Sequence, residues 1–395
     1  MQDNNKERLE REMTGAMFRE KQRRKRRKVV STLLAWLLAF VIILAVLAVI
    51  GILVMAAGGR SLKKKVQSTG PKMTLEETES TDITEEAGSA QGAEAAGVGA
   101  EEAPAVVWQE GWVRHNGKIY AYNEDIMTFL VMGIDKLDVV KESTSKTDGG
   151  QSDGIFLAVV NPHEKNIKLL AINRDTMTNI KMVGMGPGGT DATAFAQITV
   201  QHGYGDGKEQ SCELTRDAVS ALLYDLPIHG YVAINMAAIP TINDTVGGVE
   251  VTVLEDLTKA SKKLKKDELV TLKGQDAYYY VKWRDTTIFE SARGRLNRQK
   301  QYLGAFAAKF KEATKKDITV PVKLYQQLSK YMVTDVTVDE VAYLAGQLLD
   351  YSFTGEDVYT MEGETVKGGI YEEFYPDADA LKELMLTLFY EEVEQ

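Results

Sequence analysis

Residues 29–57 form an unbroken run of 29 positions without a charged side chain, dominated by Leu, Ile, Val and Ala. As a helix rising about 1.5 Å per residue it would be roughly 43 Å long, more than the about 30 Å of a bilayer's hydrocarbon core. A secretory signal peptide usually has a shorter apolar region and a shorter basic lead, although Ala56-Ala57-Gly58 resembles a cleavage site. The run therefore reads as a transmembrane signal-anchor. Eight Lys/Arg lie in residues 19–28, against four in residues 60–65. The positive-inside rule then makes residues 1–28 a cytoplasmic tail, leaving the rest of a single-pass plasma-membrane protein outside. A basic run can also serve nucleic-acid binding, but its position against an apolar span favours topology.

Residues 73–105 hold nine Asp/Glu and no Lys or Arg, with Gly, Ala, Ser and Thr between them. Such composition cannot bury a core, so residues 58–105 are expected to be an acidic, disordered extracytoplasmic linker. The folded part is then 106–395, with 31 Lys/Arg, 43 Asp/Glu and a formal net charge of −12. A domain that neutralises nucleic-acid phosphates would be basic, so nucleic acid is excluded as a partner. Cys212 is the only cysteine, so no intrachain disulfide can form. The four histidines (His115, His163, His202, His229) lack metal-ligand spacing and read as surface or hydrogen-bonded residues.

Residues 127–133 (MTFLVMG), 154–160 (GIFLAVV) and 166–172 (NIKLLAI) are three β-rich runs separated by polar punctuation. In an antiparallel meander the end of one strand lies beside the start of the next. Asp135 follows the first run, Asp153 precedes the second, and Arg174-Asp175 follows the third. All four charges should gather at one edge of one sheet.

Residues 292–316 predict a helix. Leu303, Phe306 and Phe310 form an apolar stripe, and extending it backwards by fours reaches Gln299 and Arg295. The inward face thus ends in an amide and a guanidinium near the helix N-terminus, with Arg293 and Arg298 on other faces. This fits an anion site, or a capped helix with exposed basic residues. Further helices are expected at 213–224, 236–245, 338–349 and 379–390, and strands at 231–235 and 249–253, with a glycine-rich loop at 185–189. Strands mixed with helices in this order suggest an α/β or α+β sandwich.

Asp135 and Asp153 with Arg174, Arg284 and Arg295 suit a phosphate ester and a divalent cation. Mg²⁺ takes one or two carboxylates together with phosphate oxygens, and arginines clamp the remaining oxygens. Aspartates at strand ends are also common turn caps. No nucleophilic serine elbow, P-loop or histidine metalloenzyme motif is present.

Ser152-Asp153, Ile172-Asn-Arg-Asp-Thr176, Asp244-Thr-Val-Gly-Gly-Val249 and Gly294-Arg-Leu-Asn-Arg-Gln299 resemble, in order, the signature blocks of LytR-CpsA-Psr proteins. The likeness spans roughly 125–390. It implies an α/β sandwich with a central mixed sheet flanked by helices, an apolar tunnel for a polyprenyl tail, and an N-terminal anchor. It also implies transfer of a phosphoglycan, such as teichoic acid or capsule, from a polyprenyl diphosphate carrier to a peptidoglycan hydroxyl outside a Gram-positive cell. By position, Asp135 and Asp153 would hold Mg²⁺. Arg174, Arg284, Arg295, Arg298, Gln299 and Lys282 would bind the diphosphate, and Arg174 and Asp175 would be catalytic, Asp175 as base for the acceptor hydroxyl.

The chain departs from the pattern at four places. Gln151 and Leu137 stand where arginines are usual, Lys282 replaces the first Arg of an Arg-x-Arg pair, and Ala292 replaces an Asp. Two alternatives therefore accompany transfer: a weakly active or inactive scaffold that binds lipid or wall, and a polyprenyl diphosphate hydrolase.

Overall fold

The computed structural model describes residues 56–66, 70–73, 108–109, 111–285, 287, 291–369 and 371–393. Residues 1–57 and 58–395 group as two units, and the second carries the fold that follows. The expected anchor lies, but for its last two residues, outside the described residues. Among the described residues no helix is long and apolar enough to cross a membrane.

A six-stranded mixed sheet forms the centre. Its strands are β3 (Met127–Ile134), β4 (Ser152–Asn161), β5 (Asn166–Ile172), β8 (Gly230–Asn235), β11 (Met332–Thr334) and β12 (Val358–Thr360), in the order β11-β8-β3-β4-β5-β12. The meander β3–β4–β5 is antiparallel, as its spacing predicts, while β8 pairs parallel with β3 and β12 parallel with β5. A hairpin of β1 (Val113–His115) and β2 (Lys118–Tyr122) is extended by β15 (Tyr390–Glu392). Three further ribbons stand apart: β6 (Met177–Met182) with β7 (Ala192–Gln197), β9 (Val249–Thr252) with β10 (Leu269–Leu272), and β13 (Gly363–Lys367) with β14 (Glu372–Pro376).

The period of two along each strand gives the sheet two apolar faces. Leu130, Met132, Leu170, Ile172, Tyr231 and Ala233 point to the larger core, which also holds Cys212, Val219 and Leu223 of α1 (Glu209–Leu222) and its C-cap, and Leu381, Met385 and Phe389 of the C-terminal helix. The opposite face presents Ile167, Leu169, Val232 and Ile234, all half-buried. It is covered incompletely by α4 (Ser291–Lys316), α5 (Val320–Leu328) and α6 (Val338–Gln347), which leaves an apolar groove of about 500 Å³. Two shorter helices, α2 (Ile239–Thr245) and α3 (Gln275–Lys282), brace α4 from the side of β9 and β10. The last helix, α7 (Ala378–Phe389), starts at an Asp377 cap whose carboxylate accepts the N–H groups of Asp379 and Ala380.

The expected linker is not unstructured throughout. Residues 58–66 are helical, Leu62 is fully buried among Phe129, Val160, Val336 and Tyr351, and Met73 joins the larger core. Two polar contacts hold this segment: Ser61 donates to Glu340 Oε1 (2.6 Å) and Lys65 to Glu340 Oε2 (3.1 Å). Glu340 itself closes a capping box with Thr337 at the start of α6. The acidic composition that indicates disorder begins only after these residues. Glu340→Ala would break the box and leave Lys65 without its partner. It should lower stability by about 2 kcal/mol, read as a shift of the urea midpoint at unchanged m-value.

His202 and His229 lie in the core, and burial pushes the pKa of each down to about 4. His202 Nδ1 lies 3.0 Å from the Gly149 carbonyl, and His229 Nδ1 accepts the Thr128 N–H at 3.0 Å. Because the unfolded imidazole titrates near 6.5, the folded state holds fewer protons between those values. This stabilisation is complete above pH 6.5 and is lost as the pH falls toward 4, by about 3 kcal/mol per histidine. Unfolding free energies at pH 7.5, 5 and 4 should therefore fall less steeply for His202→Gln than for the parent chain.

Candidate functional site

The meander delivers its charges to one edge of the sheet. A register shift between Gly133 and Ile134 moves the last β3–β4 pair to Ile134 and Ser152, and Asp135 follows directly. There the Gln151 carbonyl accepts the main-chain N–H groups of both Asp135 (3.0 Å) and Asp153 (3.1 Å), while Asp135 Oδ1 accepts the Gln151 N–H at 2.7 Å. Two aspartates are thus anchored on one peptide.

Arg174 follows β5. Its guanidinium pairs with Asp153 Oδ1 and donates through Nη2 to Gln151 Oε1 at 2.9 Å. Its buried Nε finds no hydrogen-bond acceptor, although Asp175 Oδ1 lies 3.3 Å away as an ion-pair partner. Asp175 is 4% exposed. Its Oδ1 also accepts from Gln197 Nε2 at 3.2 Å, its carbonyl accepts the Phe374 N–H, and its own N–H is held by Asn173 Oδ1.

These groups open on a cavity of about 640 Å³. Asp153, Arg174 and Asp175 line it from the sheet, Arg293, Arg295 and Gln299 from the first turns of α4, and Glu362, Glu372 and Phe374 from the β13–β14 ribbon. Burial holds the Asp175 carboxyl above the usual carboxylate range, against the pull of Arg174, Arg284 and Arg295. Arg295, 5% exposed, is brought down to about 9 by burial and then by the neighbouring guanidiniums of Arg174 and Arg284. Arg174 is lowered by burial and by Arg284 while Asp175 and Asp135 oppose the change. The three guanidiniums repel one another, and the carboxylates of Asp153 and Asp175, paired with Arg174, offset part of that charge.

Of the residues singled out in the sequence, Asp153, Arg174, Asp175, Arg295 and Gln299 meet at the cavity. Asp135 joins them through Gln151, and Arg284 lies within electrostatic reach. Two residues lie elsewhere. Arg298 is 1% exposed, pairs with Glu255 at 3.1 Å, donates to the carbonyls of Tyr280 and Trp283, and packs on the Tyr280 ring. It ties α4 to α3 and does not line the cavity. Lys282 sits with its ammonium 5.6 Å from the Tyr278 ring centroid, also away from the lining. Gln299 faces the cavity while donating to the Val281 carbonyl at 3.1 Å.

Two glycine-bearing blocks are architectural. A Cβ on Gly294 would stand 2.6 Å from Glu255 Oε1, so the bare glycine admits the carboxylate that holds Arg298. Gly247 and Gly248 both adopt positive φ (84° and 93°), turning the chain into β9 while Asp244 Oδ1 accepts the Gly274 N–H. The β6–β7 ribbon and the acidic wall of Glu362 and Glu372 were missed in the sequence. The alternation in ATAFAQ (192–197) is the signal that marks β7, whereas nothing local marks the wall.

Leu303, Phe306 and Phe310, one helical face beyond Gln299, line the apolar groove, with Phe306 and Phe310 stacked at 5.7 Å. One face of α4 therefore runs from a charged cavity, to which it contributes Arg295, into an apolar groove. Fold and site together define a mixed α/β sandwich that pairs a cavity lined by arginines and carboxylates with a hydrophobic cleft. The family model described as the LytR_cpsA_psr family matches residues 92–387, and the chain belongs to that family.

Among its relatives, the polyisoprenyl-teichoic acid–peptidoglycan teichoic acid transferase TagU of Halalkalibacterium halodurans is 32% identical over 198 residues, covering 49% of this chain and 57% of the relative. TagU of Bacillus licheniformis is 28% identical over 219 residues, covering 55% of this chain and 63% of the relative. The matched region thus spans less than two thirds of either relative. Among solved structures, Bacillus subtilis TagV shares the fold at a TM-score of 0.51 and 24% identity, covering 67% of this chain and 95% of that one. TagT bound to LI-WTA has a TM-score of 0.50 and 23% identity, covering 67% and 89%.

Proposed function

We propose that the chain is a membrane-anchored transferase that moves a phosphoglycan from a polyprenyl diphosphate carrier to a peptidoglycan hydroxyl. The observation that carries this reading is the single face of α4 that joins Arg295 and Gln299 to Leu303, Phe306 and Phe310. An amphiphile with a diphosphate head and an isoprenoid tail matches that sequence of environments. The acceptor oxygen attacks the phosphorus that bears the glycan, the bridging P–O bond breaks, and polyprenyl phosphate leaves. Asp175 takes the acceptor proton, while Arg174, Arg284 and Arg295 stabilise the charge that develops on the phosphoryl oxygens.

Asp135 and Asp153 would hold a divalent cation such as Mg²⁺. Among the described residues no group of three His, Cys, Asp or Glu suits a metal. Two carboxylates anchored on one peptide are enough for Mg²⁺, which completes its shell with water and phosphate oxygens. Bound there, it would withdraw charge from the diphosphate. Asp153→Ala should abolish any Mg²⁺ dependence and cut transfer at least tenfold, read as glycan attached to peptidoglycan with and without chelator.

Because Asp175 is held above the usual carboxylate range, it serves as base only as the pH rises through that raised value. The acid limb of kcat/KM should accordingly lie above the about 3.9 of a free aspartate. Asp175→Asn should remove that limb together with most of the rate.

Incubating the full-length protein with a lipid diphosphate glycan, Mg²⁺ and peptidoglycan should yield a covalent adduct, and no adduct with any of several donors would refute transfer. Free phosphoglycan released without acceptor would indicate hydrolysis. A second reading, a non-catalytic lipid- or wall-binding scaffold, draws on Lys282, whose ammonium lies over Tyr278 and outside the cavity. It requires Arg174→Ala to leave the cellular role intact.

A further inference from the structure

The β6–β7 ribbon has two unlike faces. Thr178 and Ile180 are buried, the latter at 2% exposure. The other face carries Asn179, Lys181, Thr193 and Phe195, all exposed, and ends in Gln197. Phe195 is 58% exposed, and Asn179 stands directly across the ladder from it. A lone exposed aromatic is ordinary. This one shares its strand face with Gln197, whose amide donates to Asp175 Oδ1 (3.2 Å) and to the Glu372 carbonyl (2.6 Å). Two residues along a strand span about 6.7 Å, so Phe195 stands that far along the same strand face from Gln197, which contacts Asp175.

The ribbon is also held in place from both ends. Lys146 donates to the Gly184 carbonyl at its tip, and Thr176 bridges to Phe374 at its base. Gln197 ties it to Asp175, which lines the cavity, whereas the apolar groove follows α4 and includes neither Asp175 nor Gln197. Whatever reaches Asp175 along the ribbon does so by a different path from an occupant of the groove.

We propose that this ribbon face is the acceptor subsite, where Phe195 stacks on a pyranose ring of a peptidoglycan glycan strand and Asn179 hydrogen-bonds its hydroxyl or acetamido groups. The inference rests on the transferase reading for the identity of the acceptor. A flat aromatic face complements the C–H face of a pyranose, and the adjacent amide supplies both a donor and an acceptor. The face's one cation, Lys181, is paired with Asp191 at 2.9 Å, which favours a neutral glycan over a second phosphorylated ligand. Phe195 is thus a positioning residue: it brings a hydroxyl to Asp175 without touching the reacting atoms.

The test uses the full-length protein in detergent, soluble peptidoglycan glycan fragments as probe, and two readouts: direct binding by calorimetry and the acceptor KM for transfer. Phe195→Ala should weaken fragment binding and raise the acceptor KM at least tenfold, with kcat at saturating acceptor and donor KM little changed. Phe195→Trp should restore both, and Leu269→Ala, another exposed apolar strand residue, should change neither. Thermal unfolding should be unaltered for all three. Unchanged binding and acceptor KM in Phe195→Ala, or no fragment binding by the parent chain, overturns the subsite. If fragments bind in a Phe195-dependent way but no donor supports transfer, the subsite stands and the transferase reading fails. If Phe195→Ala instead lowers binding to lipid vesicles alone, the face belongs to the membrane and the proposal is wrong.

Discussion

Arg174→Ala is expected to reduce glycan transfer by about 10²–10³-fold, the loss seen when one preorganised donor to a developing oxyanion is removed. The guanidinium needs no search for its position, because Asp153 and the Gln151 amide already hold it beside Asp175. Arg174→Lys should recover little of the rate: one ammonium cannot address Asp153, Gln151 and a phosphoryl oxygen in the same plane. The loss should appear in kcat more than in donor KM, since under the proposed reading Arg284 and Arg295 would still attract the diphosphate. Stability should fall as well, because the buried carboxylates of Asp153 and Asp175 lose their paired guanidinium. A variant retaining more than about a third of parental kcat would remove Arg174 from the chemistry.

The second large effect is a dissociation between two arginines three residues apart on α4. Arg295→Met should leave the folded state as stable as the parent or more so, while transfer falls at least a hundredfold. The side chain it replaces is a buried cation whose neighbours Arg174 and Arg284 repel it, and exchanging such a group for an apolar one of similar size tends to be neutral or stabilising. Arg298→Met should do the reverse. It strips two carbonyls and Glu255 of their donor in a site 1% exposed, which predicts a loss of about 3 kcal/mol or more. Whatever fraction remains folded should still bind the lipid diphosphate. Denaturant midpoints and single-turnover rates measured on both variants separate the two roles, and parallel losses in both would refute the division.

The edge that collects Asp135, Asp153, Arg174 and Asp175 was legible from three apolar runs and antiparallel pairing alone, because a meander places strand ends by rule. The inward stripe of α4 was equally readable, since a period of 3.6 fixes which residues share a face. The fate of Arg298 was not. Its separation from Arg295 by three positions turns it about 60° onto a neighbouring face, and only the packing of α3 and Glu255 decides that this guanidinium goes inward to carbonyls while the other faces the cavity. Residues 58–66 were hidden for a related reason: one buried Leu62 and a distant Glu340 outweigh the composition of the segment that follows. The acidic wall of β13–β14 arises from contacts almost two hundred residues from the meander, which no local pattern announces. Gln151 gives a different lesson. By resemblance it is a missing arginine, yet its side chain accepts a hydrogen bond from Arg174 and its carbonyl anchors both aspartates. The peptide keeps its place in the site, and the side chain exchanges a charge for an acceptor.

Helix α4 places Arg295 and the aromatic stripe of Phe306 and Phe310 on one rigid rod, so a ligand spanning both would be measured by it. From Arg295 to Phe310 the rod advances about 22 Å, and its register cannot be adjusted locally. One residue inserted between Gln299 and Leu303 would rotate the cationic turn by about 100° away from the aromatic one, with every side chain retained. The proposed donor would then find its phosphates and its hydrocarbon addressed on different sides of the same helix. Selection for such a proposed amphiphile would thus reside in the phase of a helix as much as in any residue on it.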